Sequence, residues 1–229
     1  MDGSGDLFAP FIASLDPGIT PIVVRYPDAP LAYDQLAQYA RRFLPEEGEF
    51  FLLGESFSGP VAAMLAARCD HRLRGLILSA AFIRNPLPWT APAASLVRVL
   101  PVTGAPAALM TRLLLGRFST PALRTMIAAS LAQASAATIR ARLLAISAVD
   151  VSHQMAAVQV PVLYLQASHD RVVPKSAGRL IARLQPGATC QTLQAPHFLL
   201  QAAAGEAARA VYSFMLARRA PGLLPHYRD

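Results

Sequence analysis

The sequence predicts an α/β fold: a mostly parallel sheet flanked by helices, with an inserted helical cap. Three observations carry that expectation. Apolar runs of strand length alternate with segments of helical periodicity. The alternation stops near residue 82 and resumes near 159. One strand–turn–helix junction, "FFLLGESFSGPVAAMLAAR" (50–68), crowds small residues around a single serine. Strands that are apolar throughout belong to parallel sheets buried on both faces.

In chain order, "LFAPFIASL" (7–15) reads as a short helix and "TPIVVRYP" (20–27), a β-branched run, as a buried strand. "YDQLAQYARRFL" (33–44) has apolar residues at helical spacing. "EFFLLG" is a strand and "SGPVAAMLAAR" a helix, with Pro60 in its first turn, where a missing N–H costs nothing. "LRGLILSA" (73–80) is a further buried strand. The stretch 82–158 is Pro-rich at first and then Ala/Leu/Arg-rich and helical; within it, 125–139 is an uncharged run read as one helix. A strand (160–168), a helix (175–184), a strand (188–195) and a last helix (199–218) follow. The predicted organisation is core 1–81, cap 82–158, core 159–218 and a loose tail 219–229.

The chain has 229 residues, enough to bury a substantial core. It is 54% hydrophobic and only 15% charged, against about 25% charged in ordinary globular chains. No stretch reaches the ~18 uninterrupted apolar residues of a membrane span. The net charge of +7 raises nucleic-acid or membrane-surface binding, but Lys175 is the only lysine and the arginines are dispersed. No nucleic-acid partner is therefore expected. Cys69 and Cys190 make no disulfide framework, and each reads as a buried small residue. No export signal is evident, so a cytoplasmic location is the default expectation.

The chemistry centres on Ser56. A serine at a sharp strand-to-helix turn stands clear of the sheet, and the next residue's N–H points into the site beside a helix N-terminus. Such a turn demands small neighbours. Gly54, Ser58 and Gly59 meet the demand, although Ser58 holds the last position of G-x-S-x-G. The bland alternative is a serine capping a helix. A hydroxyl needs a base, and the base an orienting acid. Asp170 lies just past one buried strand and His197 just past the last, giving the order Ser56, Asp170, His197. His71 reads as solvated, His153 as at most a substrate contact, His169 as pointing elsewhere, and His226 lies in the tail. Asp150 is a spare acid, and Glu55 a structural or rim residue. No His/Cys/Asp/Glu cluster has metal spacing, and no Walker-type phosphate loop appears.

These motifs resemble the α/β-hydrolase superfamily, specifically its small lid-bearing serine hydrolases, over almost the whole chain to about Arg218. The resemblance implies Ser56 as nucleophile, His197 as general base and then acid, Asp170 as orienting carboxylate, and Phe57 N–H as one oxyanion donor. It implies a lid from "FIRNPLPW" through "MAAVQV" and no cofactor. The front departs from the family pattern. "MDGSGDLFAPF" reads as the family's Gly-rich oxyanion loop and first helix, without the strand that precedes them. In the family's sheet that strand lies between those expected at 20–27 and 50–54. Either the start codon is assigned too late, the preferred explanation, or the flanking strands pair directly. In both cases the second oxyanion donor falls at Met1 or Asp2.

The expected function is hydrolysis of a small-molecule carboxylic ester or thioester through an acyl-enzyme, with an apolar acyl pocket under the cap. Arg98, Arg112 and Arg117 are weighed as contacts for an acidic substrate, against a plainer reading as solvated residues. The alternatives are a non-catalytic binding or scaffold protein on the same fold, and acyl transfer or perhydrolysis by the same three residues.

Overall fold

The computed structural model of the chain describes residues 3–68, 70–88 and 107–218. Four parallel strands, β1 (Phe50–Glu55), β2 (Leu73–Ser79), β3 (Val162–Ala167) and β4 (Thr189–Leu193), pair in the order β1-β2-β3-β4. Before β1 come α1 (Ala9–Ile12) and α2 (Tyr33–Arg41); α3 (Gly59–Ala66) joins β1 to β2. The described part of the β2–β3 connection is helical: α4 (Ala107–Leu114), α5 (Pro121–Ala132), α6 (Ala136–Ala148) and α7 (Ser152–Ala156). α8 (Lys175–Leu184) joins β3 to β4, and α9 (Leu199–Ala202) and α10 (Ala204–Leu216) close the chain.

The strands sort their side chains with period two, and that builds the layers. Leu76, Leu78, Val162 and Tyr164 enter one buried cluster with Leu36, Ala63 and Ile181, on the face covered by α2, α3 and α8. Ile77, Leu163 and Leu165 enter the opposite cluster with Phe11, Leu199, Val211 and Phe214, under α1, α9 and α10. Both faces are thus apolar, as unbroken apolar strands require. Leu114, Leu115, Leu123 and Ile127 form a third, smaller cluster between α4 and α5, with Phe198 and Val172 of the core packed against it.

Four local expectations are corrected. Residues 20–27 form no strand and join no ladder, and Ile22 is 55% exposed. No described strand pairs with them, and Ile22–Val24 and Phe51–Leu53 line the same apolar cavity. β1 consequently pairs with β2 alone among the described strands. The segment is held instead by Tyr26 N–H, which donates to Gly3 O at 2.9 Å. The uncharged run 125–139 is two helices. Ser135 starts the second by accepting from Thr138 N–H at 3.2 Å, and its own N–H and hydroxyl donate to Asp28. The last helix is likewise interrupted at Ala203, whose φ/ψ of −126°/41° is not helical. Cys190, expected to be buried, is a free thiol exposed on β4; β4 is the sheet's other edge, and its residues 189–192 face solvent. Cys69, Arg98 and the tail lie outside the described residues. Among the described residues no helix is long and apolar enough to cross a membrane.

The cap on α6 is open to a direct check. Ser135→Ala removes the side-chain acceptor and should lower unfolding stability by about 1 kcal/mol, read from the urea midpoint. An unchanged midpoint would show that the break at Ser135 is not what starts this helix.

Candidate active site

β1 ends at Glu55, and the chain turns through a short 3-10 segment, Ser56–Ser58, into α3. The turn is tight enough to force Ser56 to φ = 49°, in the left-handed region. That conformation costs an L-residue about 1–2 kcal/mol. Neighbouring glycines make it achievable. A Cβ on Gly54 would lie 2.8 Å from both Ala62 Cβ and Ser58 O. A Cβ on Gly59 would lie 2.7 Å from Ala81 Cβ, at the end of β2. Ser58, at the position where the usual motif has its last glycine, keeps a side chain that Tyr26 engages. Burial pushes the Tyr26 phenol up to about 12, and its hydrogen bond with Ser58 and the nearby Arg142 charge pull it only partway back.

The other two expected residues arrive from the ends of β3 and β4, on the same edge of the sheet. After β3, Asp170 closes a turn by accepting Val172 N–H (2.7 Å) and Val173 N–H (2.8 Å) on Oδ1. This frees Oδ2 for His197 Nδ1 at 2.9 Å. After β4, the backbone is pinned to the β3 end by Ser168 N–H to Leu193 O (2.9 Å) and His169 N–H to Ala195 O (3.0 Å). His197 Nε2 then lies 2.9 Å from Ser56 Oγ. A carboxylate only accepts, so Nδ1 donates to Asp170; in the neutral ring Nε2 is left to accept the serine O–H. The His197 and Asp170 side chains are only 4% and 6% exposed, so water competes little for either bond.

The structure separates these residues from the other candidates. His169 turns away: its Nδ1 meets Ser168 Oγ at 2.7 Å and its ring edge meets Phe118. His71 is 92% exposed, and His153 is exposed. Asp150 sits at the surface beside Arg84, and hydrogen bonds from the Ser152 side chain and then its N–H hold the carboxyl below the usual range. Arg112 and Arg117 are exposed, in line with the plainer reading. Phe57 is buried, stacked on Tyr33, with its amide in the first turn after the elbow. Met1 and Asp2 lie outside the described residues. Gly3, at φ = 83°, follows them and packs so closely that a Cβ would lie 2.9 Å from the Arg142 guanidinium and 3.1 Å from Tyr26 Cβ. Among the described residues no group of His, Cys, Asp and Glu is placed to hold a metal ion.

Ser56 and His197 open on a cavity of about 1280 Å³. Met110, Leu113, Leu114, Ile127 and Leu131 line it from the helical insertion, and Phe8, Phe11 and Leu53 from the sheet side. Three features were missed from sequence. Tyr26 sits in what looked like a strand. Arg142, fully buried in α6, donates to Pro27 O at 3.0 Å, where nothing in an Ala/Leu/Arg-rich helix distinguishes it from its half-buried neighbours. The third, a link from Glu55 to α9, is taken up below.

Residues 28–199 match the model of a known family, serine aminopeptidase S33, of the α/β-hydrolase superfamily. The chain belongs to this family. Solved structures of the same fold align over nearly its whole length. An enol-lactonase from Burkholderia xenovorans is 21% identical, covering 94% of this chain and 88% of its own, at a TM-score of 0.78. A thermophilic esterase from Thermogutta terrifontis is 17% identical, covering 95% and 87%, at 0.74. A bromoperoxidase from Bacillus anthracis is 15% identical, covering 93% and 88%, at 0.73. Identities this low establish the shared fold. No curated protein matches the chain by sequence.

Strain at the elbow makes a prediction that needs no substrate. Ser56→Gly and Ser56→Ala both lose the hydroxyl, but only glycine relaxes at φ = 49°. The Gly variant should be the more stable of the two by about 1 kcal/mol, or roughly 2–4 °C in Tm for a chain of this size. Equal melting temperatures would mean that the elbow is not strained.

Proposed function

We propose that this protein is a serine hydrolase of carboxylic esters, acting through an acyl-enzyme on Ser56. The observation that carries the reading is the continuous relay Ser56–His197–Asp170, two 2.9 Å bonds long, opening on an apolar cavity. The family supports hydrolysis, and two fold relatives, an enol-lactonase and an esterase, favour acyl–oxygen substrates.

His197 takes the proton of the Ser56 hydroxyl as Oγ attacks the ester carbonyl. The imidazolium that forms is stabilised by the Asp170 carboxylate, which keeps its two turn N–H donors and stays ionised. The developing oxyanion is met by Phe57 N–H and the N-terminal potential of α3. Met1 or Asp2 is proposed for the second donor. His197 returns its proton to the leaving alcohol. Water, deprotonated by the same imidazole, then attacks the acyl-enzyme; the Ser56 Oγ–acyl bond breaks as His197 returns that proton to Oγ, and the acid is released. No cofactor enters these steps. The cavity, lined by leucines, isoleucine and phenylalanines together with Ser56 and His197, suits an aliphatic or aromatic acyl group rather than a charged one.

Two measurements test this. Asp170→Asn should preserve the fold and lower kcat on a simple ester by about 10⁴-fold, because the amide supports the wrong histidine tautomer. Retention of wild-type kcat would refute the assigned roles. Across a series from acetate to octanoate esters of one alcohol, kcat/KM should rise with chain length by about 1 kcal/mol, or several-fold, for each added CH₂ that the cavity buries. A flat or falling series would contradict an apolar acyl site.

A further inference from the structure

We propose that Glu55 is a positioning residue that clamps the turn carrying His197 onto the elbow carrying Ser56. What the clamp serves rests on the ester-hydrolase reading above; the clamp itself rests on geometry.

β1 and β4 are opposite edges of the sheet, three interstrand spacings or about 14 Å apart. The chain leaving β4 must therefore come back over β3 and β2 to bring His197 to Ser56. Besides the histidine's own bond, Glu55 supplies two attachments for the returning chain. Its Oε1 accepts Leu200 N–H at 3.3 Å, and its Oε2 accepts Gln201 Nε2 at 2.9 Å. Both donors are in the first turn of α9, three and four residues past His197. Leu199 N–H, donating to His197 O at 2.9 Å, ties that turn to the histidine itself. On the other side, Glu55 is covalently next to Ser56. Nucleophile and base are thus each one short step from a single carboxylate.

The carboxylate is not there for want of an easier choice. Burial raises its pKa, with Gln201, His197 and Leu200 N–H offsetting part of the cost. An apolar side chain would meet no such desolvation cost but would leave the buried Gln201 amide, 6% exposed, without its acceptor.

The test uses Glu55→Ala, Glu55→Gln and Gln201→Ala in the full chain, with crystal structures and ester kinetics for each. The alanine variants should lower kcat about 10–100-fold with KM within about twofold, the signature of a misplaced catalytic group. Glu55→Gln should recover part of the loss, since its amide oxygen still accepts one donor. The double alanine variant should be no worse than the worse single one. In the alanine structures the Ser56 Oγ–His197 Nε2 separation should open beyond hydrogen-bond reach, about 3.5 Å. If that separation stays at 2.9 Å with the α9 turn unmoved, the proposal is overturned whatever the rates. If wild type turns over no ester, the hydrolase reading fails and the separation alone decides the clamp. Should Glu55→Ala not fold, Gln201→Ala cuts the same link from the other side.

Discussion

The site depends on one strained residue. Ser56 is held at a positive φ, and its place is fixed by what cannot fit around it. Gly54 and Gly59 let α3 start directly against β1 and the end of β2; a methyl group at either position would collide with backbone or a short side chain. Packing against buried Val61, Ala62 and Ala63 keeps that arrangement from relaxing. The strain, of order 1–3 kcal/mol, is small beside the apolar burial of the surrounding core. It places a hydroxyl at the rim of an apolar cavity and a backbone N–H beside it.

A parallel sheet then does the assembly. Every strand ends on the same edge, so residues far apart in sequence, at the ends of β1, β3 and β4, come to one place without a dedicated scaffold. The remaining problem is lateral reach, because β4 is the far edge. Backbone bonds between the ends of β3 and β4 cover the first part of the distance, and the Asp170 and Glu55 carboxylates cover the rest. The two acids hold the histidine differently. One grips the imidazole directly, with its own geometry fixed by turn amides. The other grips the helix turn behind it. The helical insertion adds Phe198 N–H to Leu114 O at 3.3 Å, so the wall of the cavity is tied to the residue next to His197.

Much of this was legible in the sequence because it rests on local pattern. Strands β1 to β3 were visible as apolar runs and β4 from the resumed alternation of strands and helices, and the small residues around Ser56 have meaning only at a turn of this kind. The positions of Asp170 and His197 followed from counting strands. What was not legible depends on neighbours. Residues 20–27 have every local mark of a strand, yet a strand exists only with a partner, and no described strand pairs with them. Cys190 looked buried by residue type, but β4 is an edge whose residues face water. The run 125–139 has helical composition throughout, and only the capping geometry of Ser135 shows where it divides. Glu55 was visible as an acid beside Ser56. Gln201, its partner, carried no signal, since a glutamine in an apolar helix turn gains its role only from what lies opposite.

The central claim is that the hydroxyl of Ser56 is activated by His197 in the folded chain. Intact-mass analysis after treatment with a fluorophosphonate tests it most directly, on wild type beside Ser56→Ala and His197→Ala. An activated hydroxyl predicts one adduct on wild type, none on Ser56→Ala, and labelling of His197→Ala slowed by orders of magnitude. Folded wild type that stays unlabelled, or labels no faster than His197→Ala, would contradict it.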